Sequence, residues 1–254
     1  MPVSQLWRPS GRTKPPNGAV IDWNHPLAQG LFFSSDLLDQ QGQVWDSTGF
    51  HGNGALGSSV KWQADEVMQR RLNFAGTNSS ANQVTLNGTA AQWTFGKNAM
   101  SLECWFRTTQ ATFNTMFRAD NNTNGFFLIG FATGQKLQVQ YGTSARSVIA
   151  SVQGASVLND GLWHHGVATR DIGQAKAFVY VDGKLDSSGA DNLGIQSSPV
   201  PAVLGWFVNS PYNGNLGPTR MWMNRTLSPA DVAQLYAEPY AMLRGPDSHR
   251  PLRR

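Results

Sequence analysis

Short runs of alternating apolar and polar residues, separated by clusters of Gly, Asn, Asp and Ser, recur through most of this chain. Residues 72–74, 83–86 and 137–141 are three such runs. Successive side chains of a β-strand point to opposite faces, so a period of two indicates half-buried strands. The 26 Gly and 13 Pro show no collagen-like period and suit frequent tight turns. The pattern therefore predicts an all-β protein whose length allows a large core.

A β-hairpin is the sharpest local prediction. Residues 177–181 are mostly apolar and are followed by Asp182 and Gly183. This dipeptide favours a two-residue hairpin turn, because Gly adopts a positive φ without steric cost. Residues 101–107 and 163–170 are two further segments of the same alternating kind. We expect all of these segments to be strands.

One helix is predicted near the C-terminal end. Ser228 and Pro229 provide an N-cap and a first helical position, and Asp231 places an acid in the first turn. An apolar stripe at 232, 235 and 236 has helical spacing, and Pro239 follows its end. The helix is therefore expected to begin at Ser228 and to end near residue 238.

The chain is expected to consist of one domain with two extended arms. Prolines and Gly18 prevent a helix in residues 1–19, which we interpret as an N-terminal arm. Residues 20–243 form the predicted jelly-roll domain, and residues 244–254 form a basic C-terminal arm. No internal repeat suggests a further division.

Positive charge is concentrated at the two ends. Residues 1–14 and 244–254 hold seven basic residues and one acid, a formal charge of +6, whereas the rest carries −2 of the total +4. This distribution lacks the basic face that phosphate binding requires, so we expect no nucleic acid partner. Arms of this kind suit contacts with acidic patches on a partner protein. The residues expected to make them are Leu6, Trp7, Arg8, Arg12, Arg250, Leu252, Arg253 and Arg254.

The sequence also bears on the cellular compartment of the protein. Cys104 is the single cysteine, so the chain forms no internal disulfide and no cysteine-based zinc cluster. No apolar run of signal-peptide type follows the basic residues at the start, and no 18-residue apolar span occurs. The expectation is a soluble protein, made in a cytoplasm, with no membrane partner.

Five short motifs follow one another between residues 26 and 248. They are Pro-Leu-Ala-Gln-Gly-Leu at 26–31, the turn at 44–52, Glu-Cys-Trp at 103–105, Trp-His-His at 163–165 leading to Tyr-Val-Asp-Gly at 180–183, and residues 214–236. In this order they resemble the laminin G-like, concanavalin A-type lectin/glucanase superfamily, in a variety common in bacterial and phage proteins. The resemblance implies a jelly roll of two antiparallel sheets.

Catalytic signals are missing from this pattern. Enzymes of the superfamily place Glu-x-Asp-x-x-Glu on one strand, so that alternate carboxylates act as nucleophile and acid. The chain has three Glu, at 66, 103 and 238, and none has an acidic partner at that spacing. Glu103 is expected to be a packed, hydrogen-bonded strand residue. We therefore expect that the protein is not an enzyme and has no catalytic residue.

Three other motifs have simple structural interpretations. Residues 52–57 match Gly-x-Gly-x-x-Gly, but no helix or βαβ unit follows, so a turn is expected instead of a dinucleotide site. His164 and His165 are adjacent strand residues that face opposite sides and are not expected to bind one metal ion together. Cys104 is expected to fill the core.

A calcium site is common in relatives at the turn that contains Asp46. Relatives place further acids near the C-terminal end, where this chain has Gly217 and Pro218. Calcium requires six to eight oxygen ligands, several of them carboxylates. Asp46 is thus the single candidate metal ligand, and it is expected to cap its own turn. We expect no cofactor, with calcium as the alternative.

Carbohydrate binding needs exposed aromatic rings with amide partners. Trp206, Asn209, Tyr212 and Asn213 form such a group before the last strand, and Asn residues at 121, 122 and 124 mark another loop. The alternative is that the aromatic residues close the core and the Asn residues serve turns.

Three functional interpretations stay open from the sequence. The first is a non-enzymatic virion structural protein, a phage capsid decoration protein made in the host cytoplasm and anchored by its arms to the major capsid protein or another virion protein. The second is a carbohydrate-binding adsorption module on a phage tail or cell surface, with a cell-surface glycan as its partner. A host protein is a third interpretation, and a homo-oligomer is compatible with each. Softer similarities to phage members at 23–28 and 236–243 favour the first.

Overall fold

The computed structural model describes residues 14, 18–36, 42–119, 126–132, 134–142, 148–195 and 201–244. The predicted arm contacts at 6, 7, 8, 12, 250, 252, 253 and 254 lie outside the described residues, as does the loop at 121–124. In the part of the chain that is described, no helix is long and apolar enough to cross a membrane.

The described chain is mostly strand. Its helical elements are α1 (Pro229–Ala237) and single 3-10 turns at Pro26–Ala28 and Ser80–Asn82. The strands are β1 (Val20–Ile21), β2 (Leu31–Ser35), β3 (Gln43–Val44), β4 (Gly54–Leu56), β5 (Val60–Asp65), β6 (Gln69–Ala75), β7 (Val84–Thr85), β8 (Met100–Arg107), β9 (Asn114–Ala119), β10 (Phe126–Phe131), β11 (Lys136–Gly142), β12 (Val148–Val157), β13 (His164–Asp171), β14 (Lys176–Val181), β15 (Lys184–Ala190), β16 (Val203–Leu204), β17 (Asn213–Met223) and β18 (Leu243–Arg244).

Two large antiparallel sheets form a sandwich. Sheet I has the strand order β12-β11-β10-β9-β16-β7-β4-β3, and sheet II has the order β15-β14-β13-β8-β17-β6-β5, with β2 also paired to β17. β1 pairs with β18 and brings the two ends of the described domain together. The predicted all-β, concanavalin A-like jelly roll is confirmed.

Alternation along each strand builds the core between the sheets. On β8, Met100, Leu102, Cys104 and Phe106 belong to the main apolar cluster, and Glu103 lies on the opposite side of the strand. Cys104 is 1% exposed, and burial raises the pKa of its thiol far above the usual range. The core role expected for Cys104 is confirmed.

A second apolar cluster covers part of the outer face of sheet II. Val232 and Leu235 of α1 pack there with Val167 of β13 and Trp222 of β17. The Trp222 indole donates a hydrogen bond of 2.7 Å to the carbonyl of Leu27 and so fixes the N-terminal segment on the same face. Helix and terminal segments therefore form a third layer over one region of this sheet.

The sequence also predicted the local elements correctly. Asp182 and Gly183 both have positive φ, 49° and 80°, and join β14 to β15 as a hairpin. Ser228 caps α1: its hydroxyl accepts from the amide of Asp231, whose carboxylate accepts from the Ser228 amide. These features depend on neighbouring residues alone, which is why a single sequence predicts them.

One residue of the predicted N-terminal arm packs on the domain. Lys14 is 8% exposed. Burial and the neighbouring Arg70 lower the pKa of its ammonium group to about 8, while Asp36 acts in the opposite direction. The arm therefore contacts the sandwich at this point, upstream of the first strand.

Candidate functional site

The candidate site is the loop between β16 and β17, which folds over the outer face of sheet I. The loop begins at Gly205, whose φ of +84° lies in the left-handed region. A Cβ atom at this position would lie 2.0 Å from the ring of Phe74, so only glycine fits. The Asn82 amide group donates 2.9 Å hydrogen bonds to the carbonyls of Gly205 and Tyr212 and holds the loop closed.

Arg118 supports the two aromatic side chains of this loop. Its guanidinium carbon lies 5.5 Å from the Trp206 ring centre and 5.1 Å from that of Phe207. Its Nε also donates a 2.8 Å hydrogen bond to the Trp206 carbonyl. Arg118 is 8% exposed, whereas both rings stay half-buried. The rings are therefore held in place before any ligand arrives.

Two asparagines form the rim of the loop. Asn78 and Asn209 exchange hydrogen bonds: the Asn78 Oδ1 atom accepts from the Asn209 backbone amide at 2.9 Å, and its Nδ2 atom donates to Asn209 Oδ1 at 2.9 Å. The Trp206 indole donates to the same Asn78 oxygen at 3.4 Å. Asn209 has a φ of +60°, a conformation that Asn tolerates better than most residues. Both side chains are exposed beside the Trp206 ring.

The structure separates the four predicted carbohydrate residues into two groups. Trp206, Asn209 and Asn213 lie at the surface, but Tyr212 is fully buried. The Tyr212 hydroxyl lies 3.1 Å from the carbonyl oxygen of Arg107 and 3.0 Å from that of Asn215, and burial raises its pKa well above the usual range. Tyr212 therefore closes the core against Phe74 and does not provide an exposed ring.

A row of register-aligned residues crosses sheet I beside the loop. Strand pairing aligns one residue from each strand: Gln43, Ala55, Thr85, Val203, Arg118, Leu128, Gln140 and Ser151. The amide group of Gln140 donates to the Ser151 hydroxyl at 3.2 Å, and that of Gln83 donates to Thr85 at 2.9 Å. The neutral polar members of the row are Gln43, Thr85, Gln140 and Ser151, Arg118 is its one charged member, and the row contains no acid.

Sequence reasoning missed Arg118 and Asn78. Arg118 lies 88 residues before Trp206 in the chain, and Asn78 lies 131 residues before Asn209. Strand pairing and loop closure bring them together, and no local pattern marks either residue. The one available signal was Gly205, because a glycine that directly precedes paired aromatic residues indicates a constrained turn.

Asp46 is engaged by its own turn. Its carboxylate accepts from the backbone amides of Ser34 at 3.1 Å, Thr48 at 3.0 Å and His51 at 3.0 Å, and from the Thr48 hydroxyl at 2.7 Å. Burial alone would raise the pKa of Asp46, but the bonds from His51 and Thr48 hold it below the usual value. Calcium would therefore have to displace several hydrogen bonds. Among the described residues, no three His, Cys, Asp or Glu side chains are grouped as a metal site.

Glu103 is held inside a buried charge network. Arg220 donates to its two oxygens at 3.1 Å and 3.0 Å, and the His165 Nε2 atom lies 3.2 Å from Oε1. Arg220 also donates to Asp36 at 2.7 Å. Burial would raise the pKa of Glu103, but Arg220 and then His165 hold it below the usual value. With all four side chains fully buried, this carboxylate has a structural role.

The two adjacent histidines face opposite sides, as predicted. His165 lies beside Glu103, whereas the His164 ring is held between Asp182 at 2.9 Å and Asp160 at 3.1 Å. Burial would lower the pKa of His164, but the hydrogen bonds that its ring makes to these two carboxylates raise it. The pair therefore does not form a joint metal site.

Comparison with known proteins agrees with this architecture. The Laminin_G_3 family model, described as concanavalin A-like lectin/glucanases superfamily, matches residues 76–233, more than half of the chain. No curated protein matches the sequence. The match runs from β7 into the first half of α1 and includes the loop that carries Trp206.

Solved structures share the fold at low identity. The binding domain of Paraclostridial Mosquitocidal Protein 1 matches with a TM-score of 0.65 and 14% identity over 83% of this chain and 52% of that chain. Domain 4 of AbnA, an extracellular arabinanase from Geobacillus stearothermophilus solved with arabinotriose, matches with a TM-score of 0.59 and 18% identity over 81% and 98%. The binding domain of botulinum neurotoxin DC, solved with SialylT, gives 0.64 and 13% over 83% and 52%. The chain thus spans about half of each toxin domain and nearly all of the arabinanase domain.

Proposed function

We propose that this chain, which belongs to the concanavalin A-like lectin/glucanases superfamily, is a non-enzymatic binding module for neutral carbohydrate. The observation that carries the proposal is the Trp206 ring, fixed by Arg118 and edged by the exposed amides of Asn78 and Asn209. Aromatic faces stack on the apolar face of a sugar ring, and side-chain amides bind its hydroxyls.

The chemistry of the surroundings supports a neutral ligand. Half of the eight residues aligned across sheet I are Gln, Ser or Thr, and none is acidic. Such groups donate and accept hydrogen bonds without the desolvation cost of a charge. Domain 4 of the arabinanase, which covers nearly the same length, was solved with arabinotriose. An arabino-oligosaccharide is therefore the first probe to use.

The burial of the family's strand glutamate supports a binding role without catalysis. Glu103 is the strand glutamate of the family motif, and its charge is neutralised by Arg220 inside the protein. Glycoside hydrolysis needs one carboxyl group as acid and a second as nucleophile or base, both facing the substrate. We expect no hydrolysis of arabinan, β-glucan or galactan by this chain.

Titration calorimetry with a panel of neutral oligosaccharides, beginning with arabinotriose, tests the proposal. Trp206→Ala is expected to weaken binding about five- to thirtyfold, since stacking on one aromatic ring contributes on the order of 1–2 kcal/mol. Trp45→Ala is the matched control, because Trp45 is also an exposed indole, 43% accessible, but lies on a different turn. Equal binding by wild type and Trp206→Ala, or equal losses in both variants, would contradict the proposal, as would a panel in which nothing binds.

A second candidate function rests on the charge of the arms. The ends carry +6 against −2 for the rest of the chain. In this proposal the arms anchor the protein to acidic patches of the major capsid protein or another virion protein, and the domain decorates the particle. Removal of residues 1–13 and 245–254 is then expected to leave a folded domain that no longer incorporates into particles. Full occupancy of the trimmed domain would reject anchoring by the arms.

A further inference from the structure

A second polar surface lies on the outer face of sheet II, away from α1. Strand register aligns Lys61 of β5, Asn73 of β6, Asn215 of β17 and Arg107 of β8 in one row. The neighbouring core residues on these strands point inward, so the row faces out. Lys61 is exposed, and the other three are half-buried. The face thus presents two amides between two cations.

Asp65 organises two arginines at the end of this row. Its Oδ2 atom lies 3.4 Å from Arg71 and 3.4 Å from Arg107, which brings the two guanidinium groups together over one carboxylate. The other oxygen accepts from the amides of Val67 and Met68 and from the Trp163 indole at 3.1 Å. The Asp65 side chain is 3% exposed, whereas those of Arg71 and Arg107 are 17% and 29% exposed. The carboxylate is therefore beneath the cations and not in competition with a ligand above them.

Arg71 has more donors than the protein satisfies. Within the described residues, its Nε is buried without a hydrogen-bond partner, its Nη1 makes only the 3.4 Å ion pair with Asp65, and its Nη2 donates to Gln63 at 2.9 Å. Arg107 stacks 5.3 Å from the Trp163 ring centre, which fixes its plane. Buried donors without partners are costly, so a shift of the Arg71 guanidinium group that brings them to an acceptor on the surface is favoured. Glu66, in the turn between β5 and β6, is the other acid of this hairpin.

The geometry points to a second binding site at Arg71 and Arg107 that takes a carboxylate-bearing saccharide, such as a uronic acid unit. Two guanidinium groups held together by Asp65 suit a ligand carboxylate, which accepts charge-assisted hydrogen bonds from both. The linked amides of Asn73 and Asn215, 3.1 Å apart, lie in the adjacent row and suit the hydroxyls of the same or the next sugar. This site lies on the opposite sheet from Trp206 and is independent of the proposed neutral-sugar site.

Titration of the full chain with trigalacturonic acid and with its fully methyl-esterified form tests the inference. The ester keeps the sugar rings and removes the negative charge, so it requires no protein variant. We expect the acid to bind about tenfold or more tightly than the ester, and its affinity to fall as ionic strength rises. Equal affinities of the two forms, or no binding of the acid, would reject the site.

Protein variants locate the binding. Arg71→Gln and Arg107→Gln are each expected to weaken binding of the acid about tenfold. Lys176→Gln removes the same charge from an exposed position on β14 and is expected to have no effect, as is Trp206→Ala. Similar losses in Lys176→Gln would indicate diffuse charge attraction and reject the site. Loss in Trp206→Ala alone would assign the acid to the sheet I site, so this inference would fail while the proposed function would stand.

Discussion

The outer faces of the two sheets carry arginines in opposite situations. On sheet II, beneath Pro239 and the segment after α1, Arg220 is fully buried between Asp36 and Glu103 and donates to the Pro239 carbonyl at 2.6 Å. On sheet I, Arg118 supports two half-buried rings and a loop carbonyl. The first arginine neutralises acids that have no access to solvent, whereas the second holds a surface ready for contact. The comparison separates charge that secures the fold from charge that prepares a binding face.

Arg220→Met is the sharpest way to test this distinction. The substitution leaves Asp36 and Glu103 buried without their cation, and removal of one partner from a buried ion pair typically costs about 3–5 kcal/mol. Arg118→Met, the matched change on sheet I, loses one hydrogen bond and the contact with two rings, about 1–2 kcal/mol. Urea denaturation of both variants measures the free energies of unfolding. Equal losses would mean that the two arginines do not differ in the way their surroundings indicate.

Gly205→Ala probes the loop itself. A methyl group would meet the Phe74 ring in a backbone conformation that L-residues avoid, so we expect a loss of about 2–4 kcal/mol and displacement of Trp206. Gly96→Ala is the control, because Gly96 also has positive φ, +60°, but nothing lies within 4 Å of the added carbon. It is expected to cost about 1 kcal/mol. If both variants lose the same stability, the packing of Gly205 on Phe74 is not what fixes the loop.

The sequence predicted features that depend on neighbouring residues and missed those that depend on strand pairing. The hairpin at Asp182 followed from alternation and turn residues, and the structural role of Glu103 followed from the family position that it resembles. The burial of Tyr212 could not be predicted, because the same group of Trp, Phe, Asn and Tyr residues suits either a buried core or an exposed sugar-binding surface. Whether the Tyr212 side chain faces the core or the surface depends on the pairing of β17 with β6 and β8. The support for Trp206 comes from Arg118 on β9. These pairings are long-range, and a single sequence does not encode them locally.

His164, the first residue of β13, provides a smaller, pH-dependent test. Its neighbours Asp182 and Asp160 raise its pKa in the folded state, so the protonated ring stabilises the fold below the unfolded pKa of about 6.5. This contribution is lost as the pH rises through the folded pKa. The side chains of Asp160 and Asp182 are 47% and 34% exposed. Solvent screening therefore limits the effect on stability to below about 1 kcal/mol. The stability difference between wild type and His164→Gln is therefore expected to be larger at pH 5.5 than at pH 8.5, and a constant difference in denaturation experiments would contradict this assignment.

Chelation is expected to have the smallest effect of all, because the Asp46 turn that links the two sheets is closed by protein donors. The Asp46 carboxylate already accepts from the Ser34 amide on β2, from both donors of Thr48 and from His51. Gly217 and Pro218 supply no side-chain oxygen to complete a cation shell, and calcium needs six to eight. A ligand that binds only the folded state raises its stability by mass action, so an occupied site would respond to both EDTA and added calcium. We expect the melting temperature to change by less than about 1 °C in either direction. A drop of several degrees with EDTA that calcium reverses would contradict this, because it would show that the turn binds a cation in addition to its hydrogen bonds.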